Sequence, residues 1–150
     1  MAQTLVSLQV HVIFSTKSRK ELITPEVEPD LFAYIGGILN NNKSKLIAAN
    51  GTSDHVHLLI SLSKNIGLSE IIGDIKRDSS VWIKTQDSQF QNFHWQDGYG
   101  AFSIGQSQVK TVKNYIARQK IKHAKVDFKN EFRDFLRNYE VEFDERYVWD

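Results

Sequence analysis

The chain has 150 residues, of which 41% are hydrophobic, 25% charged and 11% aromatic, a size and composition that suit one globular core and leave no room for two. It has no cysteine, which excludes disulfides, thiolate metal sites, Fe–S clusters and cysteine nucleophiles. The net charge of +1 conceals an asymmetry, because residues 1–126 carry 15 basic and 10 acidic side chains whereas residues 127–150 carry 4 and 8.

The N-terminal sequence lacks the basic and apolar regions of a secretion signal. No stretch approaches the ~18 consecutive apolar residues that span a bilayer. These features predict a cytoplasmic protein.

The first predicted element is a strand from Leu5 to Phe14, since this apolar run is flanked by polar residues and suits a strand covered on both faces. The sequence Thr24-Pro25-Glu26 offers a helix N-cap, a proline for the first turn and an acidic side chain. A helix is therefore expected from this point to about Asn41, although Pro29 is compatible with a later start.

The remaining pattern alternates between strands and helices. Asn50-Gly51-Thr52-Ser53 is a turn sequence, and it separates two strand candidates that predict a hairpin. The predicted elements are strands over 45–50 and 54–62, a helix over 68–85, a strand over 99–106 and a helix over 107–124.

The order β-α-β-β-α-β-α predicts an α+β fold of the ferredoxin-like, split βαβ type, with an antiparallel sheet and two crossover helices on one face. The third helix is expected to cover the opposite face. Asp127 can cap one more helix, followed by an acidic, aromatic tail. We therefore divide the chain into a main domain, residues 1–126, and a C-terminal helix and tail, residues 127–150, that pack on the same domain or on a partner subunit.

Basic residues are concentrated near the third helix, where residues 109–126 contain no acidic side chain. Such a segment attracts polyanions, although a basic run taken alone is more often a solvated helix face. The helix over 68–85 also has a basic side. The candidate contacts to a nucleic acid are Lys76, Arg77, Lys110, Lys113, Arg118 and Lys122.

His55 and His57 form a candidate metal-binding pair. Side chains alternate along a strand, so the two histidines project from one face with Cα atoms about 7 Å apart, while Val56 faces the other side. An isolated His-x-His pair is more often two ordinary sheet histidines, and the pair therefore needs a third ligand and a reactive group beside it.

The helix over 107–124 supplies both. Tyr115 and Gln119 are four residues apart and lie on one stripe, and His123 lies near it. If this helix covers the histidine face, the Gln119 amide oxygen can bind the same ion, and three neutral ligands suit Mg²⁺ or Mn²⁺ acting on a phosphodiester.

Tyr115 is a candidate nucleophile, although a tyrosine considered alone is more often a packing residue. A tyrosine that attacks phosphorus forms a covalent phosphotyrosine, which conserves the bond energy for later rejoining of the strand. The phenol pKa is near 10, so attack at neutral pH needs help from the metal and from nearby lysines such as Lys122.

Four motifs together resemble the single-tyrosine HUH transposases of small insertion sequences, that is, the IS200-like transposases and their REP-associated relatives. They cover most of the chain. The motifs are residues 11–17 (HVIFSTK), 54–60 (DHVHLLI), 95–103 (WQDGYGAFS) and 115–119 (YIARQ).

The resemblance implies a DNA transposase that cleaves and rejoins single-stranded DNA, with a preference for hairpin structure. It implies that His55, His57 and Gln119 bind the metal and that Tyr115 becomes joined to the DNA 5′ phosphate. It also implies a homodimer, and leaves open whether Tyr115 acts within its own subunit or in the other. Family members often carry paired histidines after the glutamine; here a lysine precedes His123, and we assign His123 no role.

Three alternatives remain open. Residues 98–102 (GYGAF) partly imitate an RNA-binding segment of an RRM, which would make the protein a non-catalytic binder of nucleic-acid hairpins on a ferredoxin-like fold. A relaxase or replication initiator would use the same chemistry, but such proteins usually carry a partner domain. An inactive, domesticated descendant would not need to retain the four site residues.

Overall fold

The fold is built on one four-stranded antiparallel sheet, and the computed structural model describes residues 2–149. The strands lie in the order β2-β3-β1-β4, so that β1 is central and pairs with β3 and β4. Their bounds are β1 Gln9–Ser15, β2 Lys45–Gly51, β3 His55–Ser61 and β4 Gly100–Ile104. This topology confirms the predicted ferredoxin-like, α+β fold.

Helices cover both faces of this sheet. The first two are the crossover helices, as the predicted order requires, and three helices follow β4, where two were predicted. The α-helices of the described residues are α1 Glu28–Asn41, α2 Leu68–Lys84, α3 Val109–Ala117, α4 Gln119–Lys122 and α5 Phe128–Asn138. Among residues 2–149, no helix has the length and apolar character needed to cross a bilayer.

The crossover helices α1 and α2 lie on the more apolar face of the sheet. Alternate residues of the central strands point there, and Val12, Phe14 and Leu58 are all fully buried in one hydrophobic cluster with both helices. Leu31 of α1 and Ile75 of α2 belong to the same cluster. This face gives the sheet a rigid backing, because buried aliphatic side chains of this size each contribute about 1.5–3 kcal/mol.

The opposite face is covered by the helices that follow β4. Ile13 and Phe102 from the sheet form a cluster with Phe128, Phe132 and Leu136 of α5. A second cluster joins the sheet to Ile116 of α3. Helix α5 therefore covers the histidine face of its own chain, beside α3.

The first strand is shorter than the sequence predicted. The strand was expected to begin at Leu5, but β1 begins at Gln9, and Leu5 is 78% exposed. The reason is the length of its neighbours, because both pairings of β1 end at Gln9, opposite Ser61 on one side and Ile104 on the other. An apolar segment without a partner strand cannot satisfy its backbone as a sheet does.

The helix predicted over 107–124 is interrupted. Helix α3 ends at Ala117, Arg118 takes φ −98° and ψ 13°, and α4 begins at Gln119. The start of α1 also differs, since Thr24 Oγ1 accepts a hydrogen bond from the Val27 N–H at 3.3 Å in a preceding turn. The helix itself begins at Glu28, next to Pro29, which agrees with the later start that Pro29 permits.

Gly51 is required where the hairpin turns toward the histidine strand. A Cβ atom on Gly51 would lie 2.2 Å from the His55 carbonyl oxygen, whereas a Cβ on Gly73 of α2 would meet nothing within 4 Å. We expect Gly51→Ala to lower the free energy of unfolding by about 2 kcal/mol because the backbone must shift. Gly73→Ala is the control and should be neutral or stabilising by about 0.5–1 kcal/mol. Urea denaturation measures both, and equal stabilities would contradict the steric argument.

Candidate active site

The two predicted histidines lie side by side on β3. His55 and His57 are both fully buried, and their rings face the layer formed by α3, α4 and α5. Their ring centroids are 5.3 Å apart, as the alternation of side chains along a strand requires. The prediction that both histidines project from one face of the strand is therefore confirmed.

Each histidine is oriented by a partner on its outer ring nitrogen. His55 Nδ1 lies 2.8 Å from Asp54 Oδ1 and 2.9 Å from Thr52 Oγ1. His57 Nδ1 lies 2.8 Å from Nε2 of His11, a buried residue of β1. These contacts fix both rings with Nε2 turned toward the centre of the site, the arrangement found where histidines bind metals.

Gln119 reaches the same centre from the start of α4. Its side chain is buried, and Oε1 lies 3.3 Å from His55 Nε2. Asn50 of β2 sets this position, because its Nδ2 donates to the carbonyl oxygens of Ile116 at 3.0 Å and Ala117 at 3.2 Å. A continuous α-helix would use these carbonyls for its next turn, so Asn50 ends α3 and binds it to the sheet edge.

Tyr115 lies on the other side of the histidines, within the same chain. Its half-buried ring is 5.9 Å from the His57 ring and 5.8 Å from Lys122 Nζ. The hydroxyl donates a hydrogen bond to the Glu131 carboxylate. Burial, followed by this bond to Glu131, raises the pKa of the Tyr115 phenol well above its usual value.

Glu131 of α5 is the residue that the sequence analysis missed, and it occupies the centre of the site. It is 2% exposed, and its Oε1 lies 2.9 Å from His57 Nε2 and 2.8 Å from His123 Nε2. The other oxygen accepts from Gln119 Nε2 at 3.1 Å and from Tyr115. Burial by itself would raise the Glu131 pKa, but the hydrogen bonds from His123 and His57 outweigh it and hold the pKa well below its usual range.

The sequence did carry a signal for Glu131. Asp127 caps α5, as predicted, and its side chain accepts from the Asn130 N–H at 2.9 Å. On that helix Glu131 follows Phe128 by three residues and precedes Phe135 by four, so an acidic side chain lies on the apolar stripe. A charged residue at a core-facing position indicates a buried partner.

Two expectations about the site change as a result. His123, left without a role, lies in the cluster, with its ring 4.2 Å from the His55 ring. The site was also expected to offer only neutral ligands, and the structure adds the Glu131 carboxylate. The ligand atoms of His55, His57, His123 and Glu131 all lie within 4.8 Å of one another, which is compatible with one divalent ion.

The basic candidates lie on two different layers. Lys110, Lys113 and Arg118 are exposed on or next to α3, the helix that carries Tyr115. Lys76 and Arg77 lie on α2, behind the sheet, where Lys76 Nζ donates to the carbonyl oxygens of residues 96 and 98 at 2.9 and 2.6 Å. Arg77 pairs with two aspartates of its own helix.

The RRM-like segment lacks the open sheet surface that RNA-binding domains use. Phe102, at its end, is 3% exposed and lies in the cluster with α5. Helices cover both faces of the sheet, so no aromatic platform on it is free to stack with bases.

Comparisons with known proteins bear on this site. The sequence model of the family described as "Transposase IS200 like" matches residues 4–119. The chain is 23% identical over 124 residues to the transposases for insertion sequence element IS200 of Salmonella typhimurium and of Salmonella typhi, and each alignment covers 79% of this chain and 81% of the relative.

Two solved structures share the fold. A candidate transposase from Deinococcus radiodurans R1 superposes with a TM-score of 0.60 at 20% identity, over 79% of this chain and 95% of that one. A REP-associated tyrosine transposase bound to a REP hairpin superposes with a TM-score of 0.62 at 14% identity, over 97% of this chain and 94% of that one.

The buried histidines make the stability of the metal-free protein depend on pH. Burial lowers the pKa of His11 to about 3 and that of His57 to about 4, from an ordinary value of 6.5. Below pH 6.5 the unfolded chain binds protons that the folded chain does not, so stability is full above 6.5 and falls as the pH drops toward 4. Urea denaturation in chelator should show this decrease.

A matched pair of variants isolates the contribution of the buried ring. His11→Gln should flatten the pH dependence, because one buried neutral imidazole is removed. His94→Gln, a change at an exposed histidine, should leave it unaltered. A stability that is constant between pH 7 and 5 would contradict the burial argument.

Proposed function

Because this chain belongs to the family of IS200-like DNA transposases, we propose that it cleaves and rejoins single-stranded DNA through a covalent bond between Tyr115 and a 5′ phosphate. The observation that carries the proposal is the contact between Tyr115 and the histidine cluster. The Tyr115 hydroxyl and His57 Nε2 both bind the carboxylate of Glu131, so the nucleophile and the metal-ligating atoms share one partner.

In the proposed reaction, the phenolic oxygen of Tyr115 attacks a backbone phosphorus atom. A bond between Tyr115 and phosphorus forms as the bond to the departing 3′ oxygen breaks. The phenol releases its proton to solvent, and the departing 3′ oxygen takes up a proton from solvent to become a free hydroxyl. A second 3′ hydroxyl can then attack the phosphotyrosine, which restores the phosphodiester and the phenol. The bond energy is conserved throughout, so the strands rejoin without ATP.

The residues of the chain have separate tasks in this scheme. His55, His57 and Gln119 would hold a divalent ion such as Mg²⁺ or Mn²⁺, which supplies positive charge against the phosphate oxygens during attack. Glu131 accepts the hydrogen bond of the Tyr115 hydroxyl and so fixes its position. Lys122 lies against the Tyr115 ring, where its charge favours the ionised phenol.

We further propose that the substrate is a DNA hairpin with a single-stranded flank. The support comes from a relative of the same fold, which was solved with a REP hairpin. The exposed basic residues near Tyr115, namely Lys110, Lys113 and Arg118, would bind the backbone of the cleaved strand. Lys76 and Arg77, on the other layer, would reach only a flanking duplex.

We also propose that the protein acts as a homodimer in which each Tyr115 works within its own subunit. The short separation between Tyr115 and His57 of one chain supports this arrangement. An exchange of tyrosines between subunits would require the segment around Tyr115 to leave the sheet edge, to which Asn50 holds it.

The covalent step can be tested with a single-stranded hairpin oligonucleotide labelled at its 3′ end, so that the label stays on the fragment whose 5′ phosphate joins Tyr115. With Mn²⁺ or Mg²⁺ the wild-type protein should form an SDS-resistant adduct, and Tyr115→Phe should form none, because it lacks the attacking oxygen. Tyr34→Phe on α1 is the matched control and should retain the adduct. An adduct formed by Tyr115→Phe, or one unaffected by chelator, would refute the assignment.

Mixing two inactive variants tests the arrangement within the dimer. A preparation of Tyr115→Phe and His57→Ala should remain inactive if both groups act in the same chain, because no subunit then has a complete site. Recovery of adduct toward a quarter to a half of the wild-type yield would instead show that Tyr115 acts in the partner's site. Size-exclusion chromatography with light scattering determines whether a dimer is present at all.

The basic surface predicts a salt-dependent affinity for DNA. The double variant Lys110→Ala/Lys113→Ala should weaken binding and reduce the slope of log K against log salt by about 1.5, since about 0.7–0.9 counterion is released per phosphate contact. Arg77→Ala should have a much smaller effect on the affinity and on this slope. Fluorescence anisotropy with a labelled hairpin measures these quantities, and equal effects of the two changes would argue against the proposed path.

A further inference from the structure

We infer that His123 and Glu131 are metal ligands in addition to His55, His57 and Gln119, so that three imidazoles and one carboxylate, the latter supplied by α5, face the ion. This inference rests on the proposed function for the existence of a metal, and it goes beyond the His-His-Gln set that the family resemblance implies. It follows from the geometry of one oxygen atom and from the surroundings of His55.

Three imidazole nitrogens converge on Glu131 Oε1. The distances are 2.9 Å to His57 Nε2, 2.8 Å to His123 Nε2 and 3.8 Å to His55 Nε2. Adjacent ligands of an ion with bonds near 2.1 Å are themselves about 3 Å apart. The distances to His57 and His123 already match this spacing, whereas the widest separation in the group, 4.8 Å, must close by about half an ångström for all four atoms to bind one ion.

The surroundings of His55 indicate a cation in front of its ring. Its Nδ1 faces the carboxylate of Asp54, so a neutral ring carries its proton there and presents a lone pair at Nε2. That lone pair faces Gln119 Oε1 at 3.3 Å and Glu131 Oε1 at 3.8 Å, and both are acceptor atoms. The amide hydrogens of Gln119 are turned to the other Glu131 oxygen. An ion among these atoms satisfies all three lone pairs.

The outer contacts fit the same assignment. In metal sites the second nitrogen of a ligating histidine usually binds a carboxylate or another acceptor, and a ligating carboxylate is itself hydrogen-bonded. Asp54 has this role for His55, and the neutral imidazole of His11 can accept from His57 Nδ1. Gln119 Nε2 and the Tyr115 hydroxyl hold the outer oxygen of Glu131.

This donor set identifies the class of ion. Imidazole nitrogens suit first-row transition metals, whereas Mg²⁺ prefers oxygen ligands and retains several waters. A buried site with three histidines and one carboxylate therefore prefers Mn²⁺, Co²⁺ or Zn²⁺ to Mg²⁺. The carboxylate also lowers the net charge of the occupied site from +2 to +1.

Because the carboxylate belongs to α5, the ion should attach this helix to the sheet. Phe128 and Phe132 of α5 already pack against the sheet, and the ion would add a connection between the helix and the sheet. Amide hydrogen exchange over residues 128–136 should therefore slow when metal binds. A structural role of Glu131 without metal ligation would not produce this change.

The test uses the full chain, freed of metal by chelator and without DNA, titrated with Co²⁺, whose visible absorption reports on its ligands. Glu131→Gln, which preserves the size of the side chain, should raise the Kd for Co²⁺ by at least about tenfold and alter the spectrum. His123→Gln should do the same. The matched controls are Asp134→Asn, an exposed carboxylate of α5, and His94→Gln, an exposed histidine, and both should bind as the wild type does.

Mn²⁺ in large excess should displace Co²⁺ from the wild-type protein, whereas Mg²⁺ at the same excess should not. Circular dichroism of the metal-free variants verifies that they are folded, and the metal-induced protection of residues 128–136 should disappear in Glu131→Gln. If Glu131→Gln and His123→Gln bind Co²⁺ as tightly as the controls, or if the wild type binds none, the inference is wrong.

The outcome is separable from that of the proposed function. If the wild-type protein forms the adduct but the substitutions of Glu131 and His123 leave its Co²⁺ affinity unchanged, the transposase reaction is supported. Only the assignment of these two residues as ligands is then refuted. Binding that depends on both residues, without any adduct at Tyr115, would establish the metal site and refute the proposed reaction.

Discussion

A buried carboxylate imposes the strictest requirement in this molecule. Glu131 is almost inaccessible to solvent, and an ionised carboxyl group removed from water is tolerated only when donors or cations surround it. Its partners come from β3, α3, α4 and the residue that ends α4, so the docking of α5 in this position depends on all of these elements. The polar centre therefore determines how the helical layer fits onto the sheet, and its hydrophobic clusters then stabilise that fit.

The two faces of the sheet differ in composition, since one packs against the crossover helices and the other carries the polar side chains of the candidate active site. The alternation of side chains sends Val56 and Leu58 to the packed layer under α1 and α2, and the same alternation sends His55 and His57 to the other face. A shift of β3 by one residue against its neighbours would exchange the two sets and bury the histidines under the crossover helices. The apolar face thus fixes the register, and the register fixes the face on which both histidines lie.

Local periodicity explains which parts of the molecule could be predicted. The element order and the shared face of the two histidines follow from short-range spacing, and the pairing of Tyr115 with Gln119 was found although the helix breaks between them. The break itself depends on Asn50, which is 66 residues away from the carbonyl it binds. The start of β1 depends on where its two neighbours end. Glu131 meets His57 across 74 residues, a separation that no local pattern encodes.

The uneven distribution of charge along the sequence acquires a structural meaning from this arrangement. The acidic C-terminal segment supplies the carboxylate at the centre of the site and otherwise pairs largely with itself, as Arg133 does with Glu145 and Arg146 with Asp144. Its surface therefore offers little attraction for a phosphate backbone. Lys110 and Lys113 of α3 are exposed, and their helix contains no acidic residue. The basic surplus of residues 109–126 and the acidic surplus of residues 127–150 thus meet on the same face of the sheet, and a polyanion would be attracted more strongly to the first segment than to the second.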